Sequence, residues 1–154
     1  MLKFRSMYTS DGDDLKRKEM MLRFMEKGRS GDNKTGAEAK IIDESRVTPV
    51  GRFLRKTSLD EMPQLLNVIR GDMSLVGPRP VLRYEYEAMK EWHRERSRAR
   101  PGCTGFWQVY GRARTCFDDM VAMDIYMNEN MSPWLYIQLL LKTIPVLITG
   151  SGGK

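Results

Sequence analysis

Apolar residues gather most densely near the end of the chain. From Trp134 to Ile148 nearly every position is Leu, Ile, Val, Trp or Tyr. Gln138, Lys142, Pro145 and Thr149 fall at i, i+4, i+7 and i+11, one stripe of an α-helix. The pattern predicts a helix apolar around most of its circumference. Two settings suit such a helix: the protein core, or the membrane interface with Trp134 and Tyr136 at headgroup depth. Pattern alone leaves both open. Pro145 breaks the run and argues against a span, and no segment has the length of uninterrupted apolar residues that a membrane span needs.

Elsewhere the pattern is shorter in reach. Leu2 to Met7 alternates and predicts a short strand. Asp14 to about Lys27 reads as a helix, with Asp residues before it and Gly28 as its stop. Residues 28–44 are polar and Gly-rich and read as a mobile loop. RVTPVGRFLRKTS (46–58) leads into a second helix, about Glu61 to Ile69, closed by Gly71. GDMSLVGPRP (71–80) is turn-rich, and Pro78 and Pro80 prevent a helix from continuing. Residues 83–98 read as one strongly charged, solvated helix, with Glu87–Lys90 and Glu91–Arg94 at helical spacing. Pro101-Gly102 ends it. Cys103 to Tyr110 is a strand or an irregular loop, and a short helix starts near Asp118.

Composition narrows the class. The 154 residues suit one domain with one modest core. With 41% apolar and 30% charged residues, the chain folds rather than remaining disordered. A net charge of +6 and a pI near 9.4 call for an anionic partner: nucleic acid, a membrane surface or a phosphorylated substrate. Arg outnumbers Lys, which favours planar, two-pronged recognition of phosphate. Basic and acidic residues are interleaved over 83–98 and no familiar nucleic-acid motif is present, which leaves a nucleic-acid-binding module resting on net charge alone. Cys103 and Cys116 lack metal or redox spacing, and with His93 as the one histidine a zinc site is disfavoured; the cysteines read as reduced thiols without an assigned role. The opening MLKFRSM is too polar and too short for a signal peptide.

Three constellations carry candidate chemistry. In Thr57-Ser58-Leu59-Asp60-Glu61-Met62-Pro63, Asp60 fits an N-cap, Pro63 a first helical turn, and Ser58 with Glu61 a capping box. The same residues also place two adjacent carboxylates at a helix N-terminus, where the dipole favours ionised acids: a nucleophile or metal ligand beside a group that moves a proton. A glycosidase pair is disfavoured, since its carboxyls must flank one bond from both sides. Gly77-Pro78-Arg79-Pro80 holds one arginine between two prolines, presenting its fork in a defined direction or simply making a rigid turn. Residues 100–112, RPGCTGFWQVYGR, combine Gly, Trp, Gln and Arg as a polar ring and a phosphate would require, or form a loop around a packed Trp107.

In order along the chain, KFRSM (3–7), GRFLRKTSLDEMPQLLNVIRGDMSLVGPRP (51–80), RPGCTGFWQVYGR (100–112) and WLYIQLLLKTIPVLITG (134–150) resemble the motifs of the bacterial sugar transferases, the monotopic polyprenyl-phosphate phosphoglycosyl transferases. The resemblance spans nearly the whole chain. It implies transfer of a sugar-1-phosphate from a UDP-sugar to polyprenyl (undecaprenyl) phosphate, at the start of exopolysaccharide, capsule or O-antigen assembly. It implies that Asp60 is the nucleophile and a Mg²⁺ ligand, and that Glu61 is its partner. By the same match Arg55, Arg79 and Arg112 hold phosphate, and Pro78-Arg79-Pro80 lies near the nucleotide. The implied fold is one α/β catalytic domain over residues 1–154, helix-rich with few short strands and amphipathic helices. Its basic face would turn to the cytoplasmic side of the bacterial inner membrane. Family members carry an N-terminal re-entrant membrane helix ahead of the KFRSM-like motif. Without it the chain reads as a truncated member, peripheral on the membrane, with an inactive membrane-binding remnant as the alternative.

Overall fold

The computed structural model describes residues 1–8, 13–27, 46–111 and 115–149. The Gly-rich segment read as a mobile loop lies outside them, as does Arg112. The chain forms α1 (Asp13–Lys27), α2 (Pro49–Lys56), a 3-10 turn (Leu59–Glu61), α3 (Gln64–Ile69), β1 (Ser74–Val76), α4 (Arg83–Ala88), α5 (Glu91–Arg94), a second 3-10 turn (Glu95–Arg98), β2 (Gly102–Thr104), α6 (Phe106–Tyr110), α7 (Phe117–Glu129) and α8 (Pro133–Thr149). It is a helix-rich α/β fold.

The two strands run parallel, pairing Ser74 with Gly102 and Val76 with Thr104. A parallel pair needs a long crossover, and α4, α5 and the second 3-10 turn provide it. The crossover starts under unusual constraint. A Cβ on Gly77 would lie 2.4 Å from the Arg100 carbonyl oxygen, and one on Gly102 would lie 2.1 Å from the Gly77 nitrogen. Only bare backbone fits there. Gly77 N–H donates to the Thr104 carbonyl at 2.9 Å, and Gly102 N–H to the Pro78 carbonyl at 2.9 Å. The GPRP turn is thereby fastened to both ends of β2.

Two hydrophobic clusters hold the helices. The first joins Phe24 and Met25 of α1 to Met89 and to Phe117 and Val121 of α7. The second joins Val76 of β1, Met127 of α7 and Leu139 of α8, flanked by Phe106 and Val109 of α6. Helix α7 spans both because Phe117, Val121 and Asp124 recur at i, i+4 and i+7 on its buried side. The charged Asp124 therefore sits between the clusters, 0% exposed.

Several expectations change. Leu2 to Met7 is not a ladder strand: one antiparallel bridge links Met7 to Val47. Helix α2 precedes the expected second helix. Pro49 stands in its first turn, and the Thr48 hydroxyl accepts from Gly51 N–H at 2.8 Å. The Ser58–Glu61 capping box is absent. Ser58 takes a left-handed φ of 55° with no side-chain cap bond, and α3 starts only at Gln64, after the separate 3-10 turn. The single helix over 83–98 is three pieces, and its face is not simply solvated, since Glu85, His93 and Arg96 are buried. The segment after Cys103 turns into α6 rather than continuing as strand.

Helix α8 resolves the two settings in an intermediate way. Leu139 is fully buried, with Leu135, Tyr136 and Leu140 packed around it, while Trp134, Ile137, Leu141 and Ile144 are exposed. The outward residues recur at i, i+3, i+7 and i+10, an apolar stripe left without protein cover among the described residues. Among those residues no helix is long and apolar enough to cross a membrane.

Candidate active site

The 3-10 turn between α2 and α3 brings Asp60 and Glu61 to the extended N-terminal segment. Phe4 N–H donates to the Asp60 carbonyl at 2.9 Å, Leu2 N–H to Asn67 Oδ1 at 2.8 Å, and Thr48 N–H to the Ser6 carbonyl at 3.1 Å. Gly51 permits that close passage, since a Cβ there would meet the Ser6 carbonyl oxygen at 2.0 Å. The segment is thereby laid along α2, the dyad turn and α3.

This places Lys3 over both carboxylates. Its Nζ lies 3.0 Å from Asp60 Oδ2 and 3.0 Å from Glu61 Oε1. Asp60 is buried, at 4% exposure, while Glu61 is exposed. One ammonium against two carboxylates leaves a local charge of about −1, which lessens repulsion of an incoming anion. Sequence reading assigned Lys3 no task, although it stands in the KFRSM motif. The signal that was available is a basic residue within a matched motif; its partners are 57 and 58 positions away and no spacing rule reaches them.

Arg55 is half-buried in the last turn of α2, its carbonyl accepting from Ser58 N–H at 3.2 Å. Pro78 is buried, Pro80 half-buried, and Arg79 between them is exposed. Cys103 on β2 is half-buried. Burial first, and then the Glu61 charge, pushes its thiol pKa up. A raised pKa keeps the thiol protonated and unreactive. Both cysteines are free thiols, as expected.

Away from the dyad, His93 accepts from Lys90 N–H at Nδ1 and faces Asp118 Oδ1 across 3.0 Å at Nε2. Burial lowers its pKa, against the pull of Asp118. The neutral ring with hydrogen on Nε2 satisfies both contacts. Among the described residues no group of three His, Cys, Asp or Glu could hold a metal on its own. Asp60 and Glu61 suit a different demand. Mg²⁺ commonly takes one or two carboxylates and completes its shell from substrate phosphate and water.

The apolar surface around the dyad is inverted. Helix α3 buries Gln64 and Asn67 and exposes Leu65, Leu66 and Ile69, the last at 81%. On α2, Val50 at 68% and Phe53 at 61% are exposed, as are Leu59 and Met62 beside the carboxylates.

Comparison with known proteins supplies the context for this arrangement. The galactosyl transferase CpsE of Streptococcus agalactiae serotype III is 42% identical over 154 residues, 99% of this chain and 32% of that protein. The exopolysaccharide production protein ExoY of Sinorhizobium fredii is 40% identical over 151 residues, 98% of this chain and 64% of that protein. The undecaprenyl-phosphate galactose phosphotransferase of Salmonella typhimurium is 46% identical over 113 residues, 73% of this chain and 24% of that protein. The chain thus spans from about a quarter to two thirds of the length of these relatives. Residues 1–150 match the family described as bacterial sugar transferase. With that match over almost its whole length, the chain belongs to the bacterial sugar transferase family.

Proposed function

We propose that this chain is the catalytic unit of a phosphoglycosyl transferase that moves a sugar-1-phosphate from a UDP-sugar to undecaprenyl phosphate. The observation that carries the reading is the Asp60–Glu61 pair bridged by Lys3 and ringed by exposed apolar side chains. The relatives' names supply the substrate classes: a Caulobacter vibrioides protein 46% identical over 121 residues is a UDP-glucose:undecaprenyl-phosphate glucose-1-phosphate transferase.

In this reading an Asp60 carboxylate oxygen attacks the phosphorus that bears the sugar. The bond from that phosphorus to the bridging oxygen breaks, and UMP leaves. The acceptor's phosphate oxygen then attacks the aspartyl phosphorus, the Asp60–phosphorus bond breaks, and the carboxylate is restored. Glu61, exposed beside Asp60, takes the proton from the acceptor phosphate. Lys3 shields the dyad from the donor's negative charge, and Arg55, Arg79 and Arg112 hold phosphate oxygens. Asp60 would hold Mg²⁺ together with the diphosphate, and the ion, when bound, supplies further charge neutralisation there.

The inverted α2–α3 surface and the outer stripe of α8 suit the lipid acceptor, since both leave large apolar side chains facing outward. In this reading the chain works on the cytoplasmic face of the inner membrane, where the donor is available. Two measurements test this. Incubation with a labelled UDP-sugar, Mg²⁺ and undecaprenyl phosphate is expected to move label into the organic phase. No transfer for any UDP-sugar, by a chain that carries the relatives' preceding segments, refutes the activity. In vesicle flotation the chain is expected to rise with anionic liposomes, and Phe53→Asp with Ile69→Asp to reduce the bound fraction several-fold. Unchanged flotation removes the α2–α3 face from the membrane contact.

A further inference from the structure

Helix α8 carries one charge. From Asn130 to the end of the helix at Thr149, Lys142 is the sole charged side chain, and it is exposed. No carboxylate pairs with it among the described residues. Its Nζ stands 4.3 Å from the centroid of the Tyr110 ring. That ring lies against Phe106 at 4.6 Å, and Phe106 meets the Tyr126 ring edge-on at 5.7 Å. Phe106 is itself packed on the second hydrophobic cluster. The lysine head is therefore seated on an aromatic platform anchored in the core, while Tyr110 and Tyr126 stay 40% and 54% exposed.

The direction in which α8 faces is also fixed. The Thr143 hydroxyl donates to the Leu139 carbonyl at 2.7 Å, so Thr104 on β2 supplies the hydrogen of the 2.8 Å bond between the two threonine hydroxyls. The Tyr136 hydroxyl meets Ser74 Oγ of β1 at 3.3 Å. These contacts tie the inner side of the helix to the strand pair and leave Trp134, Ile137, Leu141 and Ile144 outward. Lys142 follows Leu141 by one residue, about 100° around the helix, and so stands on the flank of that stripe. A cation seated on tyrosines at the border of an apolar stripe matches a bilayer interface. The stripe enters the acyl boundary, and the ammonium and phenols stay at the level of the phosphates. A second copy of the chain matches less well, because α8 has no acidic residue to offer Lys142 across a two-fold contact.

We propose that Lys142, on its Tyr110–Phe106–Tyr126 platform, is a binding site for the phosphate of an anionic lipid headgroup. This rests on the reading that the chain works at a membrane surface. An ammonium over an aromatic face keeps N–H donors on its other side, and a headgroup phosphate takes them in charge-assisted hydrogen bonds. The two parts of α8 then act differently. The apolar stripe favours any bilayer, whereas Lys142 favours an anionic one.

Flotation of the full chain with two kinds of vesicle tests the proposal: phosphatidylcholine alone, and phosphatidylcholine with about one third phosphatidylglycerol. Lys142 and Leu141 are both exposed, so their replacement leaves the fold intact. Lys142→Gln is expected to lower partitioning onto the anionic vesicles about fivefold, and Lys142→Arg to restore it to within about twofold of wild type. Arg23→Gln removes one positive charge from the exposed side of α1, away from α8, and is expected to change partitioning by less than about twofold. On phosphatidylcholine alone, Lys142→Gln is expected to match wild type within about twofold, whereas Leu141→Asp weakens binding to both kinds of vesicle. A loss in Lys142→Gln no larger than that in Arg23→Gln overturns the proposal, since net charge alone would account for it. An equal loss on both kinds of vesicle overturns it too, because Lys142 would then act without a lipid charge. So does sedimentation of wild type as a dimer that Leu141→Asp dissociates, which would give the stripe to a second copy. Wild-type protein that floats with neither vesicle refutes the membrane reading and this proposal together. Wild-type flotation that Lys142→Gln leaves unchanged refutes this proposal alone.

Discussion

Asp60→Asn is expected to abolish sugar-phosphate transfer while leaving the protein folded. The backbone carbonyl of Asp60, which accepts Phe4 N–H, is unchanged by the substitution. The amide keeps an oxygen for Lys3, and Lys3 retains Glu61. No buried charge is stranded, so the loss of stability should stay within about 1 kcal/mol. Chemistry has no such reserve. An amide oxygen is a far weaker nucleophile than a carboxylate, and turnover should fall by roughly a thousandfold or more. The expected intermediate makes the test direct. Protein mixed with UDP-sugar and Mg²⁺ but no undecaprenyl phosphate should gain the mass of one sugar-phosphate. The added mass should map to the peptide containing Asp60, and Asp60→Asn should gain nothing. A label on another residue, or near-normal turnover by Asp60→Asn, would sink the nucleophile assignment.

Asp124→Ala should produce the largest loss of stability. Truncation leaves the Arg96 guanidinium buried without its counter-ion, at a cost of about 3–5 kcal/mol. For a chain of this size that is a fall in melting temperature of about 10 °C or more. The pH dependence adds a second reading. Burial pushes the Asp124 pKa from 3.8 up to about 6, against the pull of Arg96. A carboxyl that binds its proton more tightly when folded contributes stability that is complete below 3.8 and is lost as pH rises through about 6. His93 works in the opposite sense. Its native pKa lies below 6.5, so its contribution is present above 6.5 and is lost as pH falls through the native value. Wild-type protein has the two in partial opposition, and Asp124→Asn removes one of them. Thermal melts should therefore show the Asn variant losing stability faster than wild type between pH 6.5 and pH 5. Equal slopes for the two proteins would show that Asp124 does not titrate in that window.

The charged stretch over residues 83–98 reads from sequence as a solvated helix, on which replacing Arg96 would be harmless. In the fold Arg96 is buried, and Arg96→Ala would strand Asp124 and lower stability.

Sequence by itself determined whatever depends on local pattern or on ordered motifs. The span of α1, the long apolar α8, the Asp60–Glu61 pair, the Arg79 turn and the family all follow from residues close together in the chain. Tertiary structure decided whatever depends on partners far apart. Lys3 reaches carboxylates more than fifty residues away only because the N-terminal segment lies along Gly51 and the dyad turn. Arg96 is buried because α7 brings Asp124 to it from 28 residues downstream, a distance that helical charge pairing cannot register. The Ser58 capping box failed because the chain takes a left-handed turn there and a short 3-10 segment, which sets Asp60 against Lys3 instead of against the first amides of α3. Periodicity likewise could not say which side of α8 the core would cover. A helix apolar around most of its circumference carries little preference among its apolar faces, and only the packing of Leu139 against Val76 and Met127 fixes which stripe is left outside.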